Sequence, residues 1–251
     1  MNDEDLLEVL STTAGAVRSA LDGVDDWRPT TGRPGQYAID VVADEVAVDA
    51  LLATGLGVLS EESGGHHLDR EVVVVLDPVD GSTNASRGVP WYATSLCAVD
   101  RDGPRVALVV NQASGERFEA MRGRGARCGE RSVTPSGCDE LGRALLGFSG
   151  RPLRRWGWGQ FRSLGAAALD LCCVASGRFD GYVDSSPGGH SPWDYLGALL
   201  VCREAGVEVV DAEGRELVTL DHAARRTPVA AATPALLAEL LSLAGDGDHG
   251  E

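Results

Sequence analysis

Three features of the sequence predict an α/β fold in which helices are layered on sheets. Residues 141–244 alternate strand and helix patterns, the run 72–76 is apolar and β-branched without alternation, and the opening segments carry helical spacing of apolar residues. Strand-helix alternation points to α/β layering. An unalternating β-branched run suits a strand covered on both faces. With 251 residues and 43% hydrophobic content, the chain can form one large domain or two tightly packed halves around a sizeable core.

Taken in order, 6–21 reads as a helix, 27–36 as a Pro/Gly-rich connection and about 39–52 as a second helix. An acidic loop precedes the 72–76 strand, which Pro78 and Gly81 stop within one turn. Segments 93–99, 105–111 and 117–122 read as a meander with Asp-Gly and Ser-Gly turns between them. The turn-rich 128–141 separates an N-terminal half, 1–140, from a C-terminal half, 141–244, and 245–251 is expected to be a disordered acidic tail. The second half predicts a strand at 144–148, a helix at 163–175, a strand at 178–183, a helix at 193–205 and a strand at 207–210. No internal repeat or heptad seam appears.

Chemistry concentrates where the 72–76 strand ends, in Asp77-Pro78-Val79-Asp80-Gly81-Ser82-Thr83-Asn84. Two carboxylates converge at a strand's carboxyl end, where ligands of α/β sheets sit. Gly81, Ser82 and Thr83 add backbone N–H groups at a helix start, a favourable place for phosphate. Carboxylates beside a phosphate cradle imply a hard cation, best matched by Mg²⁺. Asp-Pro-x-Asp-Gly alone also describes an ordinary solvated turn. A two- or three-cation site needs carboxylates from separate elements, and two further segments offer them. These are Ser60-Glu61-Glu62-Ser63-Gly64-Gly65 and Ser191-Pro192-Trp193-Asp194. Taken singly, the Glu pair fits a solvated loop and Asp194 fits the first turn of a helix.

The combination resembles the inositol monophosphatase family of Mg²⁺-dependent, lithium-sensitive sugar-phosphate phosphatases. That family carries a Glu-Glu pair, then Asp-Pro-(Ile/Val/Leu)-Asp-Gly-(Thr/Ser)-Thr-Asn after a strand, then Trp-Asp opening a helix that ends Glu-Ala-Gly. Here these read Glu61-Glu62, Asp77 to Asn84, and Trp193-Asp194 with Glu204-Ala205-Gly206. The resemblance implies a layered α-β-α-β-α sandwich, commonly a homodimer. It implies a first cation on Glu61, Asp77 and the Val79 carbonyl, a second on Asp77, Asp80 and Asp194, and a third on Glu61 and water. It implies a catalytic role for Glu61 and in-line attack on phosphorus by a water that Ser82 and a helix Asp orient.

The register Ala38-Ile39-Asp40-Val41-Val42-Ala43-Asp44 identifies that Asp as Asp44, with Val41 where the family has Thr. The family's preceding Lys is absent from a chain that contains no lysine, and Arg33 stands nearby. Phosphate is expected on Gly81, Ser82 and Thr83. Arg162-Ser163-Leu164-Gly165-Ala166-Ala167 matches the family's polyol-side segment, and Asp184 stands where a Glu often sits. Gly165 and Ala167 fit tight helix packing as well as ligand contact. The stretch from Asp184 to Trp193 looks longer than in inositol-specific members, and His66, His67 and His190 read as solvated loop residues near the mouth. The substrate class implied is a small polyol or sugar phosphate resembling inositol 1-phosphate. Histidinol phosphate, fructose 1,6-bisphosphate and 3′-phosphoadenosine 5′-phosphate are the alternatives, and a non-catalytic metal- and phosphate-binding relative is the alternative of another class.

Thirty-eight acidic against 22 basic residues give a net charge of -16 and a pI near 4.6. That excludes the basic footprint of nucleic-acid binding. It fits phosphate chemistry only where cations reverse the local sign. The acidic start and short apolar runs predict no targeting or membrane segment and a cytoplasmic location. Six cysteines without Cys-x-x-Cys spacing read as reduced thiols.

Overall fold

The computed structural model describes residues 1–28, 36–151, 157–186 and 188–245. Helix α1 (Asp3–Asp22) opens on Asn2, whose Oδ1 accepts the Asp5 N–H at 2.8 Å, and its first turn is acidic as the helix dipole favours. Its buried stripe of Leu6, Leu10, Val17 and Leu21 packs with Ile39, Ala43, Ala47 and Leu51 of α2 (Ala38–Ala53).

Eight strands form the first sheet: β1 (Gly57–Ser60), β2 (Gly64–His66), β3 (Val73–Asp80), β4 (Ala93–Asp100), β5 (Gly103–Asn111), β6 (Arg117–Met121), β7 (Ala126–Cys128) and β8 (Arg131–Ser132). Their order is β2-β1-β3-β4-β5-β6-β7-β8, parallel only between β1 and β3. Helix α3 (Ser82–Arg87) follows β3 directly. Five strands form the second sheet: β9 (Leu145–Gly150), β10 (Gln160–Arg162), β11 (Gly181–Ser185), β12 (Glu208–Asp211) and β13 (Pro228–Ala231), in order β10-β9-β11-β13-β12. The remaining helices are α4 (Ala167–Ala175), α5 (Pro192–Ala205) and α6 (Pro234–Gly245).

Period-2 alternation assigns each strand's side chains to different cores. On β3, Val74 and Leu76 join α1 and α2, whereas Val73 and Val75 face α4 and α5. On β11, Tyr182 faces that same central core, whereas Val183 joins Leu236, Leu237 and Leu240 of α6. Three cores therefore hold together five layers, α-β-α-β-α, the central one enclosing α4 and α5 between the two sheets. Each fully buried Leu or Val contributes about 1.5–3 kcal/mol.

Several elements depart from the sequence expectation. The short β1, β2, β10 and β13 and helix α6 are additional, and the turn-rich connection holds β8. Helix α4 starts at Ala167 and not at 163, because Gly165 has φ +83° and Ala166 is extended. The 178–183 strand lies at Gly181–Ser185, which places Asp184 inside the sheet. Arg33 and residues 246–251 of the expected tail lie outside the described residues. Among the described residues, no helix is long and apolar enough to cross a membrane.

Candidate active site

β3 is buried along its whole length, and its pairing with β4 shifts between Asp77, opposite Ser95, and Asp80, opposite Ala93. Pro78 has no N–H to give the ladder, so a bulge forms there and re-aims both carboxylates. Asp77 Oδ1 accepts the Val79 N–H at 3.0 Å, and Thr94 Oγ1 donates to the Pro78 carbonyl at 2.8 Å. Asp80 accepts the N–H groups of Ala167 at 3.2 Å and Ala168 at 2.8 Å. It thereby caps α4 from a distant segment, a role that Ala166 at the N-cap lacks the side chain to fill. Gly81 has φ +87°, and a Cβ there would meet the Trp91 carbonyl oxygen at 3.0 Å and that of Gly165 at 3.1 Å. Only glycine fits this turn.

Oxygens of Glu61, Asp77 and Asp194 converge within 4.8 Å of one another. Glu61 follows β1, its N–H donating to the Leu76 carbonyl at 3.1 Å, and Asp194 opens α5. Burial first, then the neighbouring Asp194 and Glu62, raises the Glu61 carboxyl well above the usual range. Burial, then Glu61, Asp80 and Asp194, does the same to Asp77. Burial and Asp194 push Asp80 up to about 7 against the N–H groups of Ala168 and Ala167. Carboxylates this close resist ionising together. A hard divalent cation among them removes that penalty, and an all-oxygen donor set is what such a cation takes, so these residues fit Mg²⁺.

The expected partner of Ser82 is corrected. Asp44 is buried and accepts the Ser60 hydroxyl, tying α2 to the end of β1. Asp40, one turn earlier on the same helix face, is the residue beside Ser82. Burial raises Asp40 to about 7, while the Tyr37 N–H and the Ser82 hydroxyl hold it down. Its Oδ2 accepts the Tyr37 N–H at 2.8 Å, and Oδ1 is buried without a hydrogen-bond partner among the described residues. Tyr37 precedes Asp40 by three positions, where the family motif has Thr, and its hydroxyl donates to Thr83 Oγ1 at 3.3 Å. Val41 is 40% exposed and takes no part.

Asp184 is the second correction. Its side chain has no exposed surface, so it does not present a carboxylate to substrate. Oδ1 accepts the Ser186 N–H at 2.8 Å and also the Ser186 hydroxyl, and Oδ2 is buried without a partner among the described residues. Aspartate is one methylene shorter than the Glu often found there, and Ser186 turns it inward. Gly165 and Ala167 serve packing: a Cβ on Gly165 would lie 3.3 Å from Asn84 Nδ2, which donates to the Leu164 and Trp91 carbonyls, and the Ala167 N–H serves Asp80. Thr83 is exposed and Gly81 and Ser82 partly so, leaving that turn open to a ligand.

Other residues at the site were not read as site residues from the sequence. His190, expected to be solvated, is 14% exposed and hydrogen-bonds Asp194 and Tyr182. Burial opposes its charge, but Asp194, Asp184 and Asp80 outweigh it and raise the imidazole to about 9. The His222 ring lies 4.6 Å from that of Trp193, and its Nε2 is 3.4 Å from the Glu61 carbonyl oxygen. The i, i+4 spacing of Asp40 and Asp44 was a legible signal that either could face the site; the sequence placed His190 near the mouth, though as a solvated loop residue, and did not mark His222.

The layered fold and its carboxylate cluster are those of a family whose named relatives include phosphoric monoester hydrolases. The chain belongs to the inositol monophosphatase family, whose model matches residues 35–246. It is 32% identical over 229 residues to a fructose-1,6-bisphosphatase/inositol-1-monophosphatase of Archaeoglobus fulgidus, covering 86% of this chain and 88% of that one. It is 34% identical over 205 residues to the Nus factor SuhB of Xylella fastidiosa, covering 74% and 72%. A solved structure from Pyrococcus horikoshii, described as similar to inositol-1 monophosphatase, superposes with a TM-score of 0.83 at 23% identity, covering 95% and 96%.

Proposed function

We propose that this protein is a Mg²⁺-dependent phosphatase of small polyol or sugar phosphates. The observation that carries the reading is the convergence of Glu61, Asp77 and Asp194 within 4.8 Å beside the buried Asp80. Glu61, Asp77 and the Val79 carbonyl would hold one cation, Asp77, Asp80 and Asp194 a second, and Glu61 with water a third. When bound, these ions supply Lewis acidity and neutralise charge on the phosphate and its leaving oxygen. Ser82 and Asp40 orient the attacking water, Asp40 taking the place first expected of Asp44, and Asp40 receives the water's proton through the serine hydroxyl. Gly81, Ser82 and Thr83 face the phosphate. Gly165 and Ala167 act on the polyol side only indirectly, Gly165 by its close packing on Asn84 and Ala167 by its N–H to Asp80.

The buried Asp184 offers no partner to an amine, which favours neutral hydroxyls over histidinol phosphate. The names of relatives support inositol phosphate and fructose 1,6-bisphosphate together. A homodimer is proposed from the family resemblance, and a cytoplasmic location from the free cysteines. A Nus factor role is supported by names alone, those of relatives from Xylella fastidiosa, Pasteurella multocida and Salmonella typhimurium among them.

Phosphate release should be measured with and without Mg²⁺ on inositol 1-phosphate, fructose 1,6-bisphosphate, histidinol phosphate and 3′-phosphoadenosine 5′-phosphate. Turnover of the first two only with Mg²⁺ is expected, with inhibition by millimolar-order Li⁺. No release from any ester would favour a non-catalytic binding role, and equal release without divalent cation would overturn the metal assignment.

A further inference from the structure

The segment 188–191, just ahead of α5, delivers an imidazole into the site. Gly189, at φ +71°, lies so close to Arg226 that a Cβ would sit 2.4 Å from its carbonyl oxygen. Next to it, His190 pairs its backbone with Arg226, donating to the carbonyl at 2.6 Å and accepting from the N–H at 2.8 Å. The side chain then has two anchors. Nδ1 lies 3.1 Å from Asp194 Oδ2, and Nε2 lies 2.9 Å from the Tyr182 hydroxyl, with Asp184 Oδ1 3.6 Å away. Asp194 Oδ2 also accepts the Ser191 N–H at 2.7 Å. Two donors thus converge on one oxygen, and among the described residues none reaches Oδ1.

We propose that His190 is a positioning residue that fixes the rotamer of Asp194, reserving Oδ1 for a cation, while Tyr182 fixes the imidazole from behind. This rests on the metal-dependent reading above. A free carboxylate rotates, and ordering it costs conformational entropy whenever a cation binds. A backbone-anchored loop holding an imidazole between a core tyrosine and the carboxylate makes that cost part of folding. Outer partners of metal ligands typically govern affinity in this way. Asp184, held inward by Ser186, lies 3.6 Å from the same imidazole and adds a second carboxylate beside it.

The test is Mg²⁺ binding by calorimetry on the substrate-free protein, with thermal unfolding in chelator as a control. His190→Ala and His190→Gln should weaken the Kd by ~10- to 100-fold. His190→Asn, whose amide takes the Nδ1 position, should recover most of that loss. Tyr182→Phe, which leaves the imidazole but removes its anchor, should weaken binding less and serves if the alanine variant does not fold. Unchanged affinity in His190→Ala or, in its place, Tyr182→Phe overturns the proposal, as does His190→Asn binding as weakly as His190→Ala. Wild-type protein that binds no Mg²⁺ would instead defeat the metal-dependent reading itself.

Discussion

On the phosphate side, Asp77 and Asp80 leave a strand buried on both faces, and the Val79, Ala167 and Ala168 N–H groups fix their carboxylates. On the loop side, Asp184 and Asp194 are fixed by a loop residue, His190, and by Ser186 and Ser191. One side is held by main-chain geometry, which tolerates side-chain change poorly at the ligands and well around them. The other is held by a loop side chain, His190, together with the Ser186 and Ser191 N–H groups, so a change on that loop reaches a carboxylate of the cluster through Asp194.

The largest effect should come from Asp80→Asn. Loss of a ligand should exceed the cost of losing an outer partner, so kcat/KM should fall by more than ~100-fold at saturating Mg²⁺. One acceptor oxygen remains for the start of α4, so far-ultraviolet circular dichroism should be unchanged. Near-normal turnover would mean that Asp80 is a helix cap alone.

Next come Ser82→Ala and Asp40→Asn, each expected to lower kcat by ~10²–10⁴ with little change in KM. The double variant should be far from additive if the two act as a unit. Asp44→Asn should reduce stability through Ser60 and leave the ratio of kcat to KM close to wild type. Should Asp44→Asn instead match Ser82→Ala, the helix assignment is reversed.

The phosphate side was legible in the sequence for the same physical reason that it is rigid. A both-faces-buried strand, Pro78 and Gly81 leave one backbone path for Asp77 and Asp80, so local chemistry alone states it. The placing of Glu61 and Asp194 in a common cluster came from the motif combination, and the structure brings them together. The Asp40/Asp44 ambiguity has a plain source: residues four apart share a helix face, and only the packing of α2 against β1 decides which reaches Ser82. Strands β1, β2 and β13 escaped because they are three or four residues long and owe their existence to pairing partners elsewhere in the chain. His190 escaped because its partners lie on a neighbouring strand and helix, and its position follows from Gly189 meeting Arg226, a contact that no local pattern encodes.

Acid-base behaviour sharpens the comparison at intermediate size. Asp170 lies beneath the phosphate side, its Oδ1 accepting the Trp91 indole N–H at 2.9 Å and its Oδ2 buried without a partner among the described residues. Burial raises Asp170 to about 8, and Asp40 and Asp80 reach about 7. Each is thus raised above its unfolded value of ~3.9, so its stabilising contribution is complete below that pH and is lost as pH rises through about 7 to 8. Cation-free protein should show a melting temperature that falls over this window. Mg²⁺ should restore more stability at pH 8 than at pH 5, and one site at a hundred times its Kd contributes about 2.7 kcal/mol. Asp170→Asn, which can still accept from Trp91, should be more stable than wild type at pH 8 and flatten the profile. A flat wild-type profile would mean that these carboxylates ionise freely.

The smallest effect on catalysis is expected at Asp184, where the buried geometry reverses the expectation of a substrate-contacting carboxylate. A group with no exposed side-chain surface cannot discriminate between ligands by direct contact, so Asp184→Asn should change kcat/KM by no more than about tenfold, or ~1.4 kcal/mol. The change should be the same for inositol 1-phosphate and for a generic aryl phosphate, because it reaches both through His190 and Asp194 and neither through recognition. Its main signature should be a lower melting temperature, since Ser186 and His190 lose a charged partner. A KM that rises for the polyol ester while the aryl ester is spared would show that the Asp184 carboxylate swings out to meet substrate hydroxyls. In that event the loop side would recognise substrate directly through a carboxylate, and its assignment to support of Asp194 and the fold would fail.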